Sequence, residues 1–390
     1  MRRGAGMYFL PGNRIELLTN GKEYFPALIA AIDAAAVEVH LETYIFEDDS
    51  AGRQVVDALI RAAQRKVSVR VMVDGFGARN FMPSFGERLT AAGVEVLVYR
   101  PEVARFRLRR HRLRRMHRKL ASIDARIAFV GGINIIDDMN TPGHTPPRHD
   151  YAVRIEGPLL AKVHASMSWL WSLVSWVTFR QHVQPQRLCA PVTNVRGNVT
   201  AAFLIRDNLR HRYDIENAYL AAINAAQREV LIASAYFLPG RRFRQALMAA
   251  AARGVRVTLL LQGRVEYTLL HYATQALYDT LLAAGIRIYE YRRGFLHAKV
   301  AVIDGDWATV GSSNIDPFSL LLAREANVVI RNALFAGELH DNLQQIMDTG
   351  ASEICDDCWN NQPLFQRLAN RLAYSLVRLM IELLGYGDEH

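Results

Sequence analysis

The sequence predicts an α/β protein made of two tandem copies of one unit, each a central mixed sheet flanked by helices in α/β/α layers. Three observations lead there. The chain repeats itself at a nearly fixed offset, helix-like and strand-like segments alternate within each copy, and one histidine-lysine motif recurs at matching positions. Length agrees, because 390 residues exceed the size at which a single hydrophobic core stops growing. A hydrophobic fraction of 51% with 22% charged residues excludes disordered and collagen-like classes.

The repeat is read directly. Ala31-Ile32-Asp33-Ala34-Ala35 followed by Glu38-Val39 returns as Ala222-Ile223-Asn224-Ala225-Ala226 followed by Glu229-Val230, an offset of 191. Ala91-Ala92-Gly93-Val94 and Tyr99-Arg100 return as Ala283-Ala284-Gly285-Ile286 and Tyr291-Arg292 at 192. His117-Arg118-Lys119 then matches His297-Ala298-Lys299 at only 180, so the first copy carries twelve extra residues between Arg100 and His117.

In chain order each copy reads as a helix, an apolar strand (Val37–Phe46; Val230–Phe237) and a second helix (Gln54–Arg65; Phe243–Arg253). A strand (Val67–Val73; Val255–Leu261), a helix and a further strand (Val94–Tyr99; Ile286–Tyr291) lead into the histidine segment. The first copy is placed at about 1–190 with a basic insertion at about 101–116, the second at about 191–352. Pro185–Pro191 reads as the linker, and a tail covers 353–390.

Each histidine segment is His-x-Lys, four residues, Asp, six residues, then Gly-[Gly/Ser]-x-Asn. The first copy supplies His117, Lys119, Asp124, Gly131, Gly132 and Asn134; the second supplies His297, Lys299, Asp304, Gly311, Ser312 and Asn314. Residues two apart on a strand share a face, so His and Lys point together while Arg118 or Ala298 points away. Asp124-Ala125 and Asp304-Gly305-Asp306 supply turn residues, and a hairpin about them returns each Asn to the level of its His. Seven strand residues put each Asp about 23 Å from its His, which assigns Asp124 and Asp304 to fixing the turn. Asp150 and Glu325, each at or near the start of a later strand-like run (Tyr151–Ile155; Asn327–Ile330), are the candidates for orienting the imidazoles. Glu42, Tyr44 and Tyr236 lie where a strand end could reach the site, whereas His40, His149, His164, His182 and His271 read as structural.

The duplicated motif resembles the phospholipase D superfamily over about residues 10–350. Leu41-Glu42-Thr43-Tyr44-Ile45-Phe46, Arg114-Arg115-Met116-His117-Arg118-Lys119 and Ala308–Pro317 are similar to the B-subtype bacterial cardiolipin synthases. The departures are Gly132 where the second copy has Ser312, and no pair of N-terminal membrane helices as in another subtype. The resemblance implies two repeats facing across a pseudo-two-fold axis with one shared site and the catalytic set His117, Lys119, Asp124, His297, Lys299 and Asp304. One histidine attacks phosphorus and the other acts as acid and base, while Lys119, Lys299, Asn134 and Asn314 hold the phosphate oxygens. With two lysines neutralising those oxygens, neither a metal nor another cofactor is expected. Cys355 and Cys358 form a Cys-x-x-Cys without a second ligand pair and read as two thiols in a reducing compartment.

A net charge of +9 points to an anionic partner. Seven arginines fall within Arg105–Arg115, and Arg107, Arg109, Arg110, Arg112, Arg114 and Arg115 suit lipid headgroups or a nucleic-acid backbone. Two stretches favour lipid. Trp169, Trp171 and Trp176 cluster before Phe179, and Leu364, Phe365, Leu368, Leu372, Leu376, Leu379, Met380 and Leu383 recur at helical spacing in the tail. No secretory signal or membrane-spanning stretch is visible. The expectation is a peripheral enzyme on the cytoplasmic face of the membrane, acting on anionic phospholipid such as phosphatidylglycerol, with no nucleic-acid partner. A phosphodiesterase acting on another phosphodiester such as DNA is the alternative.

Overall fold

The structure, a computed structural model, describes residues 7–101, 115–178, 189–207, 210–265, 267–316, 323–355, 359 and 363–383. Most of the arginine-rich run, with Arg107, Arg109, Arg110, Arg112 and Arg114, lies outside them, as do Phe179, His182 and Cys358.

Seven strands belong to the first repeat: β1 (Leu10–Thr19), β2 (Glu38–Thr43), β3 (Ser68–Asp74), β4 (Glu95–Tyr99), β5 (Lys119–Ile123), β6 (Ile127–Gly131) and β7 (Tyr151–Glu156). Their counterparts follow in the same sequence: β8 (Val199–Arg206), β9 (Glu229–Ser234), β10 (Arg256–Gln262), β11 (Arg287–Tyr291), β12 (Lys299–Ile303), β13 (Trp307–Gly311) and β14 (Ala323–Arg331), with β15 (Ala351–Glu353) at one edge. All join one mixed sheet in the order β15-β11-β10-β9-β12-β13-β14-β8-β1-β7-β6-β5-β2-β3-β4. Apart from β15 the order is a palindrome about the antiparallel pair β8–β1. Buried Asn13 staples that seam: its amide donates to the carbonyls of Leu10 and Val199, and its carbonyl oxygen accepts from Leu159.

Helices α1 (Asn20–Asp33), α2 (Ser50–Gln64) and α3 (Glu87–Ala91) cover one face of the first repeat, and α4 (Leu160–Val177) the other. In the second repeat α5 (Asp214–Ala225), α6 (Arg241–Ala252), α7 (Thr268–Gln275) and α8 (Tyr278–Ala283) do the same opposite α9 (Ala333–Gly350). The last helix, α10 (Leu364–Leu383), packs on α7. One apolar cluster runs through both repeats, joining Leu17, Leu120, Val130 and Val153 to Leu231, Val300, Val328 and Leu343. At about 25 cal/mol per Å² of apolar surface, such shared burial resists separation of the repeats. Among the described residues no helix is long and apolar enough to cross a membrane. Cys355 is disulfide-bonded, against the expected free thiol, while Cys189 is free.

The hairpins β5–β6 and β12–β13 have the expected register about Asp124-Ala125 and Asp304-Gly305. These four residues take positive φ, the conformation two-residue hairpin turns need. Asp124 accepts N–H bonds of 2.8–2.9 Å from Ala36, Val37 and Glu38; Asp304 accepts the equivalent three from Gln227, Arg228 and Glu229. Burial opposes ionisation of Asp304, but those backbone donors together hold its carboxyl below the ordinary range. Each aspartate thus ties its hairpin to the start of β2 or β9, at the strand end remote from the histidines. Asp124→Asn and Asp304→Asn should each destabilise the fold by about 1–3 kcal/mol, since charge-assisted bonds weaken when the carboxylate is lost. Thermal melts set against rates per folded molecule check this, with melting expected to fall and the rate to hold.

Candidate functional site

At the opposite strand ends two short parallel bridges cross between the repeats. Arg115–Met116 pairs with Ala323–Arg324, and Phe295–Leu296 pairs with Arg148–His149. Each bridge ends one residue before a motif histidine on one strand and one residue before a carboxylate on the other. The His117 N–H continues to the Arg324 carbonyl, and the His297 N–H to the His149 carbonyl.

The side chains complete the exchange. His117 Nδ1 lies 3.0 Å from Glu325 of the second repeat, and His297 Nδ1 lies 2.6 Å from Asp150 of the first. Tying Nδ1 to a carboxylate leaves Nε2 as the free ring nitrogen on each histidine. Sequence reasoning picked both carboxylates but could not say that they are swapped. Glu325 also accepts from Ser312 Oγ at 2.5 Å, whereas a Cβ at Gly132 would stand 2.3 Å from an Asp150 oxygen. The Gly/Ser difference within the motif is therefore a packing requirement around each carboxylate. The Asp150 backbone is clamped by Asn20, which takes φ +61° and bonds it through both backbone and side chain.

The lysines converge on the same place. Lys119 Nζ donates to the His117 carbonyl at 2.5 Å and sits 5.3 Å from the Tyr44 ring centroid. Lys299 Nζ donates to the His297 carbonyl and lies 2.9 Å from His297 Nδ1. Asn134 and Asn314 are both buried; the Asn134 side-chain oxygen accepts from the Ile45 N–H. Tyr44 reaches the site, its ring 4.8 Å from that of His117. Glu42 does not. It faces away and forms a buried ion pair with Arg118, whose side chain leaves the His/Lys face by strand alternation. Tyr236 is not the counterpart of Tyr44, because the register of β2 and β9 puts Ala235 there. Asp74 went unnoticed in the sequence: it accepts from Phe76, Gly77 and Met116 N–H groups and so holds the residue preceding His117. Among the described residues no cluster of three or more His, Cys, Asp or Glu could hold a metal ion.

The chain is similar to known proteins in sequence and fold. Residues 28–171 and 219–347 match the family described as cardiolipin synthase, PLD-like domain. Cardiolipin synthase B of Shigella flexneri is 39% identical over 390 residues, covering 97% of this chain and 91% of that one. The Escherichia coli K12 cardiolipin synthase B is 38% identical with the same coverage. This chain belongs to the cardiolipin synthase family of phospholipase D-like proteins. Its fold also matches phosphatidylserine synthase of Haemophilus influenzae, with a TM-score of 0.72 at 14% identity over 98% of this chain and 97% of that one. Polyphosphate kinase of Porphyromonas gingivalis gives 0.57 at 16% identity, over 95% of this chain and 53% of that one.

In this family member the buried site shifts its titrations together. Burial, then the nearby lysines and Arg148, hold His297 well below the ordinary imidazole range. Burial also lowers His117, opposed by Glu325. Lys119 is pushed down to about 7, by burial first and by Lys299 beside it against the pull of Glu325 and Asp150. The buried site therefore carries less positive charge than its residues suggest, and a bound oxyanion raises the Lys119 pKa. At pH 8, above that value, the sign is fixed: Lys119 takes up protons as the anion binds. Calorimetric titration of inorganic phosphate in buffers of differing ionisation enthalpy should show uptake of up to one proton per site at pH 8. A binding heat independent of buffer would contradict it.

Proposed function

We propose that this protein is a phosphatidyltransferase that joins two phosphatidylglycerol molecules into cardiolipin and releases glycerol. The observation that carries the reading is the reciprocal pair of motif histidines, each held by the other repeat's carboxylate, in a chain whose near-full-length relatives are cardiolipin synthases. His117 Nε2 attacks the donor phosphorus and displaces glycerol, which takes a proton from His297, charged once the bound phosphate anion offsets the neighbouring lysines. The hydroxyl of the second phosphatidylglycerol then gives its proton to His297 and attacks the phosphohistidine. The new P–O bond forms as the P–N bond to His117 breaks. Lys119, Lys299, Asn134 and Asn314 hold the non-bridging oxygens where charge develops, and Asp150 and Glu325 fix the ring tautomers.

The enzyme works from the cytoplasmic face of the membrane as a peripheral protein. Two exposed apolar surfaces support that placement. The outer side of α10 presents Phe365, Leu368, Leu372, Leu376, Leu379 and Met380 in one stripe, with Phe365 74% exposed, while Ala373 and Val377 are buried on its inner side. The outer side of α4 presents Trp169, Trp176 and Val177. Trp169 lies under the Arg324 guanidinium at 5.4 Å, one residue from Glu325, which connects this surface to the site. Interfacial tryptophan and an apolar stripe flanked by Arg367, Arg371 and Arg378 suit an anionic headgroup layer.

Either His117→Asn or His297→Asn should reduce cardiolipin formation by a factor on the order of 10³ or more, because each repeat supplies half of one site. Labelled phosphatidylglycerol in mixed micelles, with products resolved, measures it; near-native turnover in either single variant sinks the shared site. Trapped phosphohistidine is expected on the peptide containing His117. Deleting 363–390 should weaken co-sedimentation with anionic vesicles by at least roughly tenfold, which partial burial of the stripe supplies. Cleavage of a short soluble phosphodiester is the control. Intact chain that nicks plasmid DNA and ignores vesicles would overturn the lipid reading.

A further inference from the structure

The repeats match strand for strand but not side chain for side chain, and one mismatch opens a cleft beside His297. Thr43 and Ser234 occupy equivalent places: each hydroxyl donates to the carbonyl two residues on. Hence Tyr44 corresponds to Ala235, and Asp74, the last residue of β3, corresponds to Gln262, the last residue of β10. In the first repeat this space is full. The Tyr44 ring occupies it, Gly77 packs so tightly that a Cβ would meet the Tyr44 carbonyl at 2.4 Å, and Asp74 is committed to three backbone donors.

In the second repeat Ala235 offers only a methyl group. The vacated space is a narrow cleft, partly open to solvent, lined by Ala235, Tyr236, Gln262, Arg264, Tyr267 and His271 among others. Two of its lining residues bond the backbone on either side of His297: Gln262 Oε1 accepts from the Leu296 N–H at 3.2 Å, and the Ala235 N–H donates to the Ala298 carbonyl at 2.9 Å. Gln262 is only 8% exposed, and its Nε2 has no hydrogen-bond partner among the described residues. A buried amide donor left unspent on a residue that lines a cleft is suited to an oxygen acceptor. Arg264 at the mouth adds a cation and touches Thr145 of the first repeat, so the opening is shared by both halves. Nothing in the sequence singled out Gln262 or Arg264, and His271 read there as structural.

We propose that this cleft is the subsite for the alcohol-bearing headgroup of the acceptor phospholipid. Glycerol oxygens accept from Gln262 Nε2, the acceptor's own phosphate lies toward Arg264, and the reacting hydroxyl is delivered on the His297 side. The proposal rests on the phosphatidyl-transfer reading and adds where the second substrate sits. The chemistry is the second step: the hydroxyl proton passes to His297, its oxygen bonds to phosphorus, and the P–N bond electrons return to the His117 ring.

The test separates the two steps with a phosphatidyl donor whose leaving group is p-nitrophenol, which needs no polyol site. Nitrophenol release reports the first step, and the ratio of cardiolipin to phosphatidic acid, with phosphatidylglycerol as acceptor, reports how alcohol competes with water in the second. Ala235→Phe refills the cleft, Gln262→Leu removes the amide, and exposed Arg264→Gln removes the cation without a buried change. The cardiolipin-to-phosphatidic acid ratio should fall tenfold or more in Ala235→Phe and Gln262→Leu and severalfold in Arg264→Gln, with a raised KM for acceptor. Should a buried variant fail to fold, Arg264→Gln with the other decides. An unchanged ratio in the folded variants overturns the proposal, as does a fall in nitrophenol release that matches the fall in cardiolipin. Wild-type protein that forms no cardiolipin overturns the transfer reading and this proposal together; wild-type cardiolipin with an unaltered ratio in the variants overturns this proposal alone.

Discussion

Every other feature of the site depends on the exchange of carboxylates between the repeats. An imidazole with one nitrogen committed to a buried acceptor has a defined tautomer and a defined direction for its other nitrogen. Here the acceptor for His117 is Glu325 and that for His297 is Asp150, so neither repeat can orient its own histidine. The geometry tolerates little relative sliding, because hydrogen bonds of 2.6–3.0 Å fail within a few tenths of an ångström. The rest of the fold supplies that rigidity. The β8–β1 seam, the Asn13 staple, the two parallel bridges and the apolar cluster common to both repeats all act across the same boundary.

Duplication fixed the frame and left the side chains free to diverge. The helix N-terminal to each repeat, the hairpins and the aspartate anchors are equivalent in both halves. Beneath α4, however, the first repeat buries His40, Glu42 and Arg118, where the register of the second places Leu231, Ala233 and Ala298. At the site, Gly132 answers Ser312 and Tyr44 answers Ala235. Such differences give two chemically similar halves unequal surroundings.

Much of the fold was legible because duplication doubles every signal. A lone His-x-Lys is weak, but two with equal internal spacing fixed strand, turn and return strand for each hairpin, and the turn aspartates followed from strand rise alone. Glu42 was misread for a physical reason: nearness to a strand end says nothing about which face a side chain takes until the pairing register is known, and its partner Arg118 lies 76 residues away. Tyr236 stands one residue past Ala235, the true counterpart of Tyr44, and lines the cleft that Ala235 leaves. The swap of Asp150 and Glu325 was invisible because spacing within a repeat carries no information about contacts between repeats. Asp74 and Gln262 left no motif at all; only their shared place at a strand end links them.

The crossed pairing also sets when the protein becomes chemically competent during its synthesis. His117 and its partner Glu325 are separated by 208 residues. At about 5–20 residues per second, a ribosome needs roughly 10–40 s to bring the second after the first. Through that interval the emerging first half holds a histidine without its carboxylate and a carboxylate, Asp150, without its histidine. The imidazole of His117 therefore waits for the second repeat before its tautomer is set, so the crossed pair belongs to neither half alone.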